Sequence, residues 1–116
     1  MTNQERQNES VAKHIWHDIL QCSFIPFSWN FEVKSIKTEL NGTSFRVNTK
    51  LVIGWVKIEM DITTKNFTVT IQPDNYKGPI VFEHVLPQEL VSKINRVLKE
   101  GDTAESNKSD GRKVAA

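Results

Sequence analysis

Residues 31–72 decide the fold, and they read FEVKSIKTELNGTSFRVNTKLVIGWVKIEMDITTKNFTVTIQ. Apolar and polar residues alternate along most of this stretch, which is typical of half-buried antiparallel strands. The dipeptide Asn41-Gly42 predicts a type I′ turn in the first hairpin, because both residues tolerate the positive φ that the two central positions of this turn require. The stretch therefore predicts consecutive strands that are close neighbours in sequence.

The first predicted strand runs from about Phe31 to Leu40, and a shift in its apolar phase at Ser35-Ile36 predicts a β-bulge. Gly54 predicts a tight turn or a bulge, so the pattern leaves open whether residues 43–63 form one bent strand or two. A short edge strand is predicted at residues 80–82. The side chains predicted to face inward in the remaining strands are Phe45, Val47, Thr49, Leu51, Ile53, Val56, Ile58, Met60, Ile62, Phe67, Val69 and Ile71.

Amphipathic helices are predicted on both sides of the strands. Ser10 is a candidate cap for a helix from about Val11 to Cys22, in which the apolar side chains fall on one half of the helical wheel. A second helix is predicted from about Pro87 to Glu100, because proline suits the first helical turn and an apolar stripe follows it. Gly101 is suited to the position just after the end of this helix.

These elements predict an α+β fold in two layers: an N-terminal helix, an antiparallel meander of about four strands and a C-terminal helix. Residues 10–101 are predicted to form a single domain, preceded by a flexible polar N-terminus at residues 1–9. Residues 102–116 are polar and lack both aromatic residues and periodicity, which predicts a disordered tail.

Composition limits the function classes. The 116 residues include 15 Lys and Arg and 14 Asp and Glu, which gives a net charge of +1. This balance supplies no long-range field to attract nucleic acid or an anionic membrane. The sequence has no long apolar run and no apolar segment of the signal-peptide type near its start, and its single cysteine excludes an intrachain disulfide. We therefore expect a cytoplasmic protein that does not bind membranes.

The sharpest candidate for chemistry is the cluster of His14, His17 and Asp18, which a helix places side by side. Two imidazoles and a carboxylate are ligands for zinc or another divalent ion. Cys22 lies near the apolar border of the same helix, where it cannot complete the set without distortion. We interpret the cluster as the solvated face of an amphipathic helix, and we predict no metal and no cofactor.

Catalytic signatures are weak. Cys22 is predicted on a buried face, where a thiol behaves as a small hydrophobic group, and the pair Glu83-His84 has no predicted partner. Neither glycine-rich phosphate-binding pattern occurs in the sequence. We therefore predict a protein that is not an enzyme.

Aromatic residues concentrate in the connection at residues 23–30, where Phe24, Phe27 and Trp29 surround Pro26. Either this segment folds back over the core, which we favour, or it forms an exposed apolar patch for a partner. Trp55 stands on the outward phase of its strand. It is predicted to lie under one of these three aromatic residues, with exposure to a partner as the alternative.

The leading functional hypothesis is a small non-catalytic domain for protein–protein interaction or regulation, with homodimerisation through a sheet edge or the polar sheet face as part of it. One alternative is a ligand-binding cup, in which a bent sheet and a helix enclose an apolar cavity. The other is weak binding of single-stranded nucleic acid on the strand face around Trp55. The candidate partner-binding residues are Trp55, Phe24, Phe27, Trp29, Arg46, Lys50 and Lys57.

Overall fold

The computed structural model describes residues 2–22, 24–75 and 78–100. Antiparallel strands form one five-stranded sheet in the order β1-β2-β3-β4-β5, so each strand pairs with its neighbour in sequence. This arrangement confirms the predicted α+β meander and adds one strand. The strands are β1 Lys37–Glu39, β2 Gly42–Asn48, β3 Ile53–Met60, β4 Phe67–Pro73 and β5 Ile80–Val85.

The inner face of the sheet carries the predicted apolar side chains. Phe45 lies opposite Val56, and Val56 lies opposite Ile71, so the same face continues across the three central strands. These residues are fully buried together with Val47, Ile58, Phe67 and Val69. Alternation with a period of two therefore predicted these seven buried residues of β2, β3 and β4 correctly.

The first hairpin differs from the prediction by one residue. Glu39 pairs with Gly42, so the turn residues are Leu40 and Asn41, and only Asn41 has a positive φ, at 52°. The turn is therefore not of type I′. Gly42 belongs to β2, where a Cβ atom would lie 2.0 Å from the carbonyl oxygen of Ile58. The glycine is required by the close approach of the β3 backbone and not by the turn.

The predicted strand from Phe31 to Leu40 is wrong in its first half. Residues Val33–Ser35 form a 3-10 turn, and only Lys37–Glu39 is a strand. The turn is fixed by Ser35, whose backbone N–H donates to the carbonyl of Glu32 at 2.9 Å and whose hydroxyl accepts from the N–H of Arg46 at 2.8 Å. The phase shift at Ser35-Ile36 therefore comes from this turn and not from a β-bulge.

Residues 43–63 form two strands joined by a turn at residues 49–52. The N–H of Thr49 donates to the carbonyl of Val52 at 2.9 Å, and the Thr49 hydroxyl accepts from the N–H of Val52 at 3.1 Å. Leu51 and Ile53 are consequently about half exposed, and Ile62 lies beyond the end of β3 and is also exposed, so these three inward predictions are wrong.

Gly54 lies inside β3, so neither the predicted turn nor the predicted bulge occurs there. It pairs with Val47 on one side and Pro73 on the other. A Cβ atom at this position would lie 2.1 Å from the carbonyl oxygen of Gln72. The residue is therefore a glycine because the β4 backbone occupies the space that a side chain would need.

The N-terminal helix, α1, spans Asn3–His14 and continues through a π turn at Ile15–Ile19 and a 3-10 turn at Leu20–Cys22. It begins at Asn3 and not after Ser10, so residues 3–9, predicted as a flexible polar segment, are helical. The reason is a capping box: Thr2 Oγ1 accepts from the N–H of Glu5 at 3.1 Å, and Glu5 Oε1 accepts from the N–H of Thr2 at 3.0 Å. The predicted buried face is confirmed by Val11, Ala12, Ile15 and Leu20.

The C-terminal helical segment covers the predicted range as a 3-10 turn at Pro87–Glu89, helix α2 at Leu90–Asn95 and a π turn at Arg96–Glu100. Its buried side chains join those of α1 and of the inner sheet face in one core, so both helices cover the same face. Gly101 and the predicted tail at residues 102–116 lie outside the described residues. Among the residues that are described, no helix is long and apolar enough to cross a membrane.

Candidate functional site

The aromatic connection folds as a 3-10 helix at Ile25–Trp29, with Pro26 in its first turn. Because a 3-10 helix has three residues per turn, residues three apart share one side. Pro26 and Trp29 face inward and are buried, whereas Phe24 and Phe27 face outward and are 90% and 63% exposed. The prediction that the segment covers the core is therefore confirmed for Trp29 and wrong for both phenylalanines.

Trp29 fixes this segment to the rest of the domain. Its ring stacks on Phe45 of β2 with an interplanar angle of 2° and a centroid separation of 6.5 Å. Its indole Nε1 donates a hydrogen bond of 3.0 Å to Oδ1 of Asn95 in α2. The short helix is thus held to both the sheet and the C-terminal helix, and these two contacts fix the direction in which Phe24 and Phe27 point.

A continuous series of aromatic rings leads from the core to the solvent. Phe45 contacts Phe31 at 6.0 Å, Phe31 contacts Phe27 at 6.4 Å, and Phe27 contacts Phe24 at 6.4 Å between ring centroids. Ile25, which is 43% exposed, lies on the same short helix. We call Phe24, Ile25 and Phe27 the aromatic patch.

A cleft lies close to the aromatic patch, between α1 and β1. Trp16 lines it and contacts Phe31 at 5.3 Å, while its indole Nε1 donates to the hydroxyl of Thr43 at 3.1 Å. The cleft is open and has a volume of about 330 Å³. We call it the Trp16 cleft; its lining residues are Glu9, Ala12, Lys13, Trp16, His17, Ile36, Thr38 and Thr43.

Trp55 lies on the outer face of the sheet, opposite Arg46 of β2 and Gln72 of β4. Cations cover its ring: Nζ of Lys37 lies 4.5 Å from the ring centroid and Cζ of Arg46 lies 5.5 Å from it. The predicted cover by Phe24, Phe27 or Trp29 is therefore wrong, since the ring series that contains Phe27 joins the inner face at Phe45.

Arg46 is engaged by two carboxylates. Its guanidinium donates two hydrogen bonds to Asp74, and its Nε lies 3.5 Å from Oε2 of Glu32. The hydrogen bond from Arg46 holds the pKa of Asp74 below its ordinary value, and the same bond raises the pKa of Arg46. The charge of Arg46 is thus compensated within the domain.

The other predicted basic residues are dispersed. Nζ of Lys57 lies 3.8 Å from Oε2 of Glu59 on the same strand. Lys50 is exposed in the turn between β2 and β3, where it lines an open cleft with Asp74. The structure therefore does not bring Arg46, Lys50 and Lys57 together as an uncompensated basic surface around Trp55.

The side chains of His14 and Asp18 are in hydrogen-bond contact on the exposed side of the N-terminal helix, with 2.8 Å between Nδ1 and Oδ2. His17 lies in the π turn that follows α1. Within residues 2–22, 24–75 and 78–100, no three His, Cys, Asp or Glu side chains are grouped so that they could hold a metal ion. The side chain of Cys22 lies outside the described residues.

His84 and Glu83 are exposed on β5, beside a cleft of about 150 Å³ that Asp61 also lines.

Two contacts were not predicted from the sequence: the hydrogen bond of Trp16 to Thr43 and the anchoring of Trp29 by Asn95. Both depend on hydrogen bonds between residues far apart in the chain, 27 and 66 positions respectively. The helical wheel gave no signal for this role of Trp16, because Leu20 and not Trp16 lies at that border of the apolar arc. Comparison of the chain with protein-family models, curated proteins and solved structures finds no match.

Proposed function

We propose that this domain is a non-catalytic protein-interaction module and that the aromatic patch is its docking element. One observation carries the proposal: two adjacent phenylalanine side chains, Phe24 and Phe27, are 90% and 63% exposed although the domain has a continuous core of buried apolar side chains. Exposed apolar patches on globular domains mark interaction sites.

Energetics support this role for the patch. An aromatic side chain buries roughly 150–250 Å² when it is fully covered, and each Å² of apolar surface removed from water contributes about 25 cal/mol. Covering Phe24 and Phe27 would therefore contribute on the order of 7 kcal/mol before the costs of association are subtracted. Because Trp29 and Pro26 already fix the short helix, little additional ordering is needed when a partner binds.

The two alternative hypotheses have less support. Nucleic-acid binding on the outer sheet face would need several free cations beside Trp55, whereas Arg46 is held by Asp74 and Glu32 and Lys57 faces Glu59. Lys37, which lies over the ring, is a single cation and does not make a basic surface. A ligand-binding cup would need an apolar cavity between sheet and helices, whereas side chains from both layers meet there in one core. We therefore propose neither of them.

The test compares the wild-type chain with the double variant F24S/F27S and with the control variant Ile62→Ser. Ile62 is an exposed apolar residue in the turn between β3 and β4, so the control removes apolar surface at another site. Proteins crosslinked in the host cell to each variant are quantified by mass spectrometry. The substituted side chains are exposed or partly exposed, and we expect the free energy of unfolding to fall by no more than about 1–2 kcal/mol for each residue.

We expect the wild-type chain to yield crosslinked proteins, among them further copies of the chain. The same proteins should be lost with F24S/F27S and retained with Ile62→Ser. Equal recovery from all three chains, with the variants folded by circular dichroism, would refute the patch as a docking element.

A further inference from the structure

We infer that the partner of the aromatic patch is a second copy of this chain, and that Phe24 and Phe27 of each copy insert into the Trp16 cleft of the other. This inference rests on the proposed function and specifies its partner. It requires that the patch and the cleft lie on one continuous surface, that charge permits two copies to approach, and that the area covered suffices for association.

Continuity between patch and cleft follows from the ring contacts. The ring centroid of Phe31 lies 6.4 Å from that of Phe27 in the patch and 5.3 Å from that of Trp16 in the cleft. The ring of Phe31 is therefore the only one between the patch and the cleft in this series of contacts. A two-fold axis through such a surface places the aromatic patch of each copy against the Trp16 cleft of the other. This is the self-complementary arrangement that a symmetric dimer requires.

Charge presents no barrier to this pairing. Residues 24–29 contain no charged side chain, and the whole chain carries a net charge of +1, so repulsion between two copies is small. The cleft is lined by the charged residues Glu9 and Lys13, which have opposite signs, and by the buried Ala12 and the partly buried Trp16. An uncharged aromatic side chain therefore meets a cleft in which one acidic and one basic residue balance each other.

The area is sufficient for a weak dimer. With a full aromatic side chain taken as roughly 200 Å², the exposed parts of Phe24 and Phe27 from two copies amount to roughly 600 Å². The surfaces that they cover add at most a similar area, so the total does not exceed roughly 1,200 Å², which is the range of weak and transient complexes. We therefore expect dimerisation that depends on protein concentration.

The sheet edges are less suitable for self-association. Strand β1 has only three residues, and β5 has an irregular register against β4 next to His84, whose φ is 57°. Short edge strands and irregular edges oppose edge-to-edge pairing. Of the dimer surfaces considered from the sequence, the edges therefore have less support than the aromatic patch.

Sedimentation equilibrium of the full chain over a range of concentrations tests the inference, with three variants. F24S/F27S removes the projections, and Thr38→Arg places a long charged side chain at an exposed position of the cleft. Ile62→Ser is the control. We expect a monomer–dimer equilibrium for the wild type and the control, with the dissociation constant raised roughly tenfold or more by F24S/F27S and by Thr38→Arg.

Mixing gives the decisive result. In an equimolar mixture of F24S/F27S and Thr38→Arg, one intact projection meets one intact cleft, so the mixture should associate more strongly than either variant alone. A wild-type chain that stays monomeric, a dimer unaffected by either variant, or a mixture without gain would each overturn the inference. If the chain is monomeric and yet loses a different crosslinked protein with F24S/F27S, the interaction function stands and only the identity of the partner is wrong.

Discussion

Gly54 shows how one residue can be dictated by a neighbouring backbone. We expect Gly54→Ala to lower the free energy of unfolding by roughly 1–3 kcal/mol or more, because the added Cβ would lie 2.1 Å from the carbonyl oxygen of Gln72 and would force β3 and β4 apart. Gly78→Ala is the matched control, since a Cβ atom there meets no atom within 4 Å. Urea denaturation followed by circular dichroism measures both, and equal stabilities of the two variants would contradict the prediction.

The ion pair of Arg46 and Asp74 makes stability depend on pH. Because the hydrogen bond from Arg46 lowers the pKa of Asp74 in the folded state, its stabilising contribution is present above the unfolded pKa of about 3.9 and is lost as the pH falls through the folded value. We expect Asp74→Asn to be less stable than the wild type at neutral pH and the difference to disappear in acid.

Chemical denaturation at several pH values measures this difference. In an Arg46→Met background, Asp74→Asn should have little further effect, which makes the double-mutant cycle the control. A wild-type advantage that stays constant from neutral to acidic pH would show that the carboxylate charge is not responsible.

At the scale of elements, the N-terminal helix is fastened to the first hairpin by amides. Oδ1 of Asn8 accepts from the backbone N–H of Asn41 at 2.8 Å, and Nε2 of Gln7 donates to Oδ1 of Asn41 at 2.7 Å. We expect Asn8→Ala to cost about 1 kcal/mol of stability, even though alanine favours the helix, because the hairpin N–H loses its acceptor. Arg6→Ala, an exposed change on the same helix, should shift the stability by less than about 0.5 kcal/mol. Thermal melts of the two variants measure the effect, and similar melting temperatures would contradict it.

Local periodicity explains which elements were predictable. The inner faces of β2, β3 and β4 and the buried faces of both helices follow from spacings of two and about 3.6 residues, which are local properties. The register of the first hairpin was not predictable in this way, because Gly42 is required by the close approach of the Ile58 backbone and not by the turn. The turn residues are therefore Leu40 and Asn41, one position before the predicted pair Asn41-Gly42. The early start of α1 was available in the sequence, since Thr2-x-x-Glu5 is a capping-box pattern.

The candidate site was only partly predictable for the same reason. Composition alone identified the aromatic connection, but the side on which each ring lies depends on the 3-10 phase. That phase is set by the hydrogen bond from Trp29 to Asn95 and by stacking on Phe45, both contacts between distant parts of the chain. A period of two or 3.6 residues therefore could not separate the buried Trp29 from the exposed Phe24 and Phe27.

For the whole molecule, self-association would couple stability to concentration. If the aromatic patch joins two copies, the folded dimer is favoured by mass action, and the melting temperature rises as the protein concentration increases. We expect this rise in the wild type and no rise in F24S/F27S, with differential scanning calorimetry over a wide concentration range as the measurement. A melting temperature of the wild type that does not change with concentration would contradict the prediction.

The three tryptophans occupy three different environments, and this distribution equips the domain with internal optical reporters. Trp29 is sealed in the interior, Trp16 borders an open cleft, and Trp55 lies under two cations on the opposite side of the sheet. In a variant that keeps only one tryptophan, the fluorescence emission would therefore report on the surroundings of that tryptophan alone. Trp16 fluorescence would register occupancy of its cleft, while Trp55 fluorescence would stay constant unless the far side of the molecule were also engaged.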